Sequence, residues 1–206
     1  MSDYRVAHDV SRHLRQLLFD GLAGSEDVTD DFTAVTNISL ASPAQISAEG
    51  GDPQSPVLLS LYLYQVQPNP HARRAMIVAA PGEQRHPPLS LDLSYLLTPL
   101  SGSAEDNLVI LGRAMQILDA NTIVRARFLD SDLRPPVPQV EVRMDPVSLE
   151  ELTRIWNAFN EPYQLSVCYQ VQYVAIDSVR LPDEGPPVEE AHFDVHEAAV
   201  GAGLVP

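Results

Sequence analysis

The sequence predicts an α+β domain in which strands and helices interleave along the chain. Three observations carry the prediction. Leu89, Leu91, Leu93, Tyr95 and Leu97 alternate with Ser90, Asp92, Ser94, Leu96 and Thr98, the period that lays one strand face on a core and turns the other to water or a partner. Tyr163–Ile176 repeats the pattern, with Leu165, Val167, Tyr169, Val171 and Tyr173 on one face and Ser166, Cys168, Gln170 and Gln172 on the other. Segments opening near Tyr4, Ser103 and Ser148 instead space their apolar residues as helices do.

Taken in order, Asp3 is placed to cap a helix from Tyr4 to about Leu22, with Val6, Val10, Leu14, Leu17 and Leu18 on one stripe and Gly21 and Gly24 as the stop. Gly24–Asp31 is an acidic loop. Phe32, Ala34, Thr36, Ile38 and Leu40 alternate as a strand, and Ala41–Pro56 reads as a loop punctuated by Pro43, Gly50, Gly51 and Pro53. Val57–Tyr64 is an apolar run rich in residues that suit a pleated surface. It is joined to the Leu89–Leu97 strand, its expected antiparallel neighbour, by an arm at about 68–88. Pro68-Asn69-Pro70-His71-Ala72-Arg73-Arg74 opens that arm, its prolines unable to donate to a ladder and its arginines suited to solvent or a carboxylate. Ala75–Ala79 forms a short possible strand within it.

Ser103 opens a second helix with Glu105 and Asp106 in the first turn, where the helix dipole favours acids. Leu108, Leu111, Met115 and Leu118 extend its stripe toward Asn121. Thr122–Phe128 fits either a strand or an irregular crossing. Gln139–Met144 alternates again, and Ser148-Leu149-Glu150-Glu151 is a capping box ahead of Leu152, Ile155, Trp156 and Phe159. Trp156 is expected to anchor that helix on the sheet. Residues 1–181 form the expected domain. Residues 182–206, with Asp183, Glu184, Glu189, Glu190, Asp194 and Glu197 and no Arg, form an acidic tail that is flexible alone or ordered by a partner.

At 206 residues the chain is long enough for a substantial core. A formal net charge of −15 argues against nucleic acid and against an anionic membrane surface, because both reward basic contacts. All 13 basic residues are Arg, so each basic contact can be planar and bidentate. The lone Cys168 excludes an intramolecular disulfide and sits in an apolar run, as a core residue would. No secretory leader or membrane-length run is visible, so the expectation is a soluble protein made and assembled in the cytoplasm.

Enzyme parts are missing from the sequence. There is no G-x-S-x-G elbow, no G-x-G-x-x-G and no phosphate loop, which needs Lys. His8 and His13 stand five apart and miss a common helix face. His192, Asp194 and His196 have a metal-like spacing but lie in the acidic tail, with no rigid helix beneath them. The expectation is no catalytic, cofactor or metal site; a hydrolase and a small-molecule binding module are the weaker alternatives.

Four stretches carry a resemblance: LYLYQVQPNPHARRA (61–75), PPLSLDLSYLLTP (87–99), LGRAMQILD (111–119) and SLEELTRIWNAFNEPYQLSVCYQVQYVAID (148–177). In order and spacing the chain resembles, over most of residues 5–180, the tail-terminator or cap proteins of bacterial contractile injection systems, which are phage-tail-like particles. The resemblance implies a mainly antiparallel β-sheet with about three helices packed on one side, plus the extended arm. It also implies a structural protein that forms a six-fold ring on the distal end of the particle. Its partners would be copies of itself, the inner-tube subunits and the last ring of sheath subunits; another tail or baseplate-associated adaptor is the nearest alternative. A ring of acidic subunits needs contacts that offset self-repulsion. The candidate interface residues are therefore Asn69, His71, Arg73, Arg74 and Arg85 on the arm.

Overall fold

A computed structural model describes residues 4–25, 32–50, 56–71, 77–80, 83–85, 88–124, 140–176 and 183–184. The fold is α+β. Its larger sheet contains β1 (Ile38–Ser39), β2 (Leu59–Pro68), β5 (Leu89–Pro99), β6 (Ile123–Val124), β7 (Val140–Asp145) and β8 (Val167–Ile176), in the order β1-β2-β5-β8-β7-β6. Among the described residues β1 and β2 pair in parallel and the other neighbours of this sheet pair antiparallel. A smaller antiparallel sheet, β3-β4-β9, joins β3 (Ile77–Ala80) and β4 (Glu83–Arg85) of the arm to β9 (Asp183–Glu184). Four α-helices lie among the described residues: α1 (Val6–Ala23), α2 (Pro43–Glu49), α3 (Ala104–Ala120) and α4 (Leu149–Phe159).

One face of the large sheet carries the main core. Leu61, Leu93, Tyr95, Leu97, Val142, Tyr169 and Val171 meet Val6, Val10, Leu14, Leu18 and Leu22 of α1 and Ile110, Leu111, Ala114, Ile117 and Leu118 of α3. Each buried Leu- or Ile-sized side chain contributes about 1.5–3 kcal/mol, so these rows dominate stability. The Tyr95 hydroxyl, buried with its ring, donates to Ser11 Oγ at 2.8 Å, and Ser11 in turn donates to the Ala7 carbonyl at 2.8 Å. Burial pushes the Tyr95 phenol up to about 12, so it remains a donor at physiological pH.

The expectation of helices on one side holds for α1 and α3 but not for α4. Alternation turns Leu96 away from Tyr95 and Leu97, onto the opposite face, where it packs with Cys168 and Trp156. Trp156 is fully buried and meets Phe159 edge-on at 5.7 Å, while Phe159 meets Tyr62 of β2 at 5.5 Å. Ser94 and Thr98, whose face was expected to meet water or a partner, are accordingly buried. α4 begins where the capping box places it: Glu151 N–H donates to Ser148 Oγ and Ser148 N–H to Glu151 Oε2.

Other expectations are corrected. The Phe32–Leu40 strand shrinks to the two residues of β1, because Asn37 closes a 3₁₀ turn at Val35–Asn37. Its side-chain oxygen accepts from Ala34 N–H at 2.7 Å and its amide donates to the Pro56 carbonyl at 2.8 Å. The Ala41–Pro56 loop contains α2, with Ser42 and Gln45 as a capping box, Pro43 in the first turn and Gly50 left-handed at its end. Gly21 does not stop α1, which runs on to Ala23. A Cβ there would lie 2.6 Å from Ile117 Cδ1, so the glycine lets α1 and α3 approach. Leu108 is 60% exposed, since it lies about 200° around α3 from the buried Ile110. In β8 the alternation holds through Val171 and then slips: Leu93 pairs with Val171 but Leu91 with Val174, so Gln172 and Tyr173 together oppose Asp92. Tyr173, at φ 64°, is turned outward, and Val174 takes the core position. Asp3 and Phe128 lie outside the described residues; Thr122–Phe128 is a strand at Ile123–Val124.

Candidate functional site

The arm leaves the large sheet between β2 and β5, and its root is braced by side chains. Asn69, the first residue after β2, is 7% exposed and Asp92 of β5 is 3% exposed. Asn69 Nδ2 donates to Asp92 Oδ1 at 2.7 Å. Its Oδ1 accepts from the His71 backbone N–H at 2.8 Å, and its own N–H donates to the Ser90 carbonyl at 2.9 Å. The second contact is the turn that an Asn side chain makes with the residue two further on. The side-chain amide, side-chain oxygen and backbone N–H of Asn69 are thereby all used inside the chain, and a hydrogen bond to a carboxylate is of the stronger kind. Asp92 sits opposite Gln67 of β2 on one side and the Gln172–Tyr173 bulge of β8 on the other.

The sequence-derived interface candidates therefore separate. Asn69 is buried and positions the arm; His71 is exposed just beyond it. Arg85 lies on β4, in register with Ile77 of β3. Arg73 and Arg74 lie outside the described residues, as do His86, His192, Asp194 and His196. Asp92 is the residue that sequence reasoning missed; its only signal is a carboxylate set among the leucines of β5.

Two residues near the start of the acidic tail pair with the arm. Gln84 of β4 pairs with Asp183 and Glu83 with Glu184, so the arm's own strand pair gains a third strand from the tail. The arm and the tail also leave the large sheet from one end, since Pro68 pairs with Leu91 and Leu89 with Ile176.

Elsewhere the chemistry is that of a core. Burial pushes the Cys168 thiol up to about 11, which keeps it protonated and poor as a nucleophile. Its neighbour Tyr64 is also raised, by burial first and then by Cys168. Burial lowers His13 against the opposing pull of Asp20. Among the described residues no three His, Cys, Asp or Glu side chains converge as metal ligands. A cavity of about 430 Å³ between α3 and β7 is lined by Met115, Leu118, Val142, Met144 and Tyr169, with Asp119 as its single carboxylate and no His. No helix among the described residues is long and apolar enough to cross a membrane.

The chain belongs to the Pvc16 N-terminal domain family, which matches residues 9–190. Among solved structures it is similar to the PVC sheath/tube terminator of an extracellular contractile injection system in its extended state. That match has a TM-score of 0.58 and 17% identity, covers 95% of this chain and spans 65% of the length of that one. It also matches the tube-terminating cap of the anti-feeding prophage, with a TM-score of 0.44 and 20% identity, over 66% of this chain and 48% of that one. No curated protein matches the chain.

Proposed function

We propose that this chain is a structural cap, or tail terminator, of a contractile injection system. It assembles as a ring, six-fold by the family resemblance, on the distal end of the particle, closing the inner tube and anchoring the last ring of sheath. The observation that carries the reading is the family match across residues 9–190, the span that holds the whole large sheet, α2–α4 and all but the first three residues of α1. The likeness of fold to a sheath/tube terminator supports it. The arm supports it as well: a braced, proline-marked excursion reaches a neighbour without disturbing the sheet, and arginines on a chain of net charge −15 can meet a neighbour's carboxylates. His71, Arg73, Arg74 and Arg85 are the proposed contact residues, with Asn69 holding the arm in place.

Mass photometry at micromolar concentration, together with imaging of particles made with and without the protein, tests the proposal. A ring in solution or on particles is expected, and its loss should leave tubes or sheaths of irregular length. A strictly monomeric protein that is also absent from purified particles contradicts it.

A further inference from the structure

We infer that the start of the acidic tail is a strap that completes and holds the arm. The tail's role is then in presenting the arm, while the large sheet folds without it. Three facts of register lead there. Arm and tail depart from the same end of the large sheet, through Pro68, Leu89 and Ile176 on neighbouring strands. The arm's β3 and β4 form a two-stranded ribbon, which alone is marginal in water. Strand β9 adds to β4 and makes β4 the central strand of three.

Six residues separate β8 from β9, and so short a link spans at most about 25 Å when extended. Pairing β9 with β4 therefore tethers the arm twice: through Asn69 and Asp92 at the root, and through Asp183 and Glu184 farther along. Among the described residues the large sheet contains none beyond Ile176, which is why the strap is assigned to the arm and not to the core.

Two truncations test this, studied by hydrogen exchange below the concentration at which the protein assembles, so that the outcome is independent of the proposed ring. A chain ending at Leu181 lacks β9; a chain ending at Pro186 keeps it. The Leu181 chain should show at least ten-fold faster exchange in residues 77–85, with residues 89–99 and 167–176 unchanged. The Pro186 chain should match the full chain throughout. Equal protection of 77–85 in all three chains overturns the strap. So does a loss confined to both truncations equally, which would place the tether beyond Pro186. Faster exchange of the large sheet in the Leu181 chain would show that the tail supports the core instead, and would overturn it too.

Discussion

Asn69 and Asp92, both buried and 23 residues apart, are joined by a 2.7 Å hydrogen bond at the point where the arm leaves the sheet. A carboxylate in that position is tolerable because Asn69 answers it, and Asn69 in turn fixes His71. Asn69→Ala leaves the carboxylate short of its partner. We expect a loss of about 1–3 kcal/mol in urea unfolding. Faster hydrogen exchange of the His71 amide should accompany it, while residues 93–97 keep their protection once the lower global stability is allowed for. An unchanged unfolding midpoint would mean that the pair does not brace the arm.

The approach of α1 to α3 gives a contrast between two glycines. Gly21→Leu places atoms where Ile117 already lies, and overpacking of this kind costs about 1–3 kcal/mol. Gly112, inside α3, has open space around its Cβ position, so Gly112→Ala should gain up to about 1 kcal/mol of helix propensity. Thermal unfolding of both variants checks this. Shifts of the same sign would contradict the packing described.

Trp156, Leu96 and Cys168 make the second core, on the face that α4 covers. Trp156→Ala should cost about 3–5 kcal/mol and open Cys168 to thiol reagents, which should not label the native protein. Rapid labelling of the native chain would show that α4 does not cover that face.

The same thiol gives a pH dependence with a definite sign. Its folded pKa is raised by burial, from 9.0 to about 11, so the unfolded chain loses this proton first as pH rises. The stabilisation is complete below about pH 9 and is lost between about pH 9 and 11. Tyr95 and Tyr169, each pushed up to about 12 with burial the main cause, extend the loss from about pH 10 upward. Urea midpoints at pH 8 and 10.5 should differ, and Cys168→Ser should reduce the difference. A midpoint that rises at pH 10.5 would contradict the sign.

How much of this was legible in the sequence depended on how local the signal was. The Ser103 and Ser148 caps, the stripes of α1 and α4 and the alternation of β5 are short-range patterns, and the structure carries them. The signals of α2 are equally local, yet Pro43 and Gly50 read as breakers although a helix can use the one in its first turn and the other at its end. Position along the chain hides the rest. Nothing beside Asp92 announces Asn69, and no glycine marks the bulge at Tyr173, where a non-glycine residue adopts a left-handed backbone. That α4 covers the second face followed from neither periodicity nor caps, because both faces of β5 carry leucines.

The arm's charge is the next prediction. Arg73→Glu with Arg74→Glu should leave circular dichroism and the thermal midpoint unchanged while weakening ring formation or particle capping. The defect should depend on salt, since interface charges are screened over about 10 Å at moderate ionic strength. Equal assembly at low and high salt would remove these arginines from the interface.

The central claim is tested most directly by locating the protein on the particle. Purified contractile particles carrying a C-terminal affinity label on this chain, imaged by electron microscopy with a bound marker, should show the marker at one end only, the end opposite the baseplate. A marker along the sheath, at the baseplate, or absent from intact particles would contradict the account.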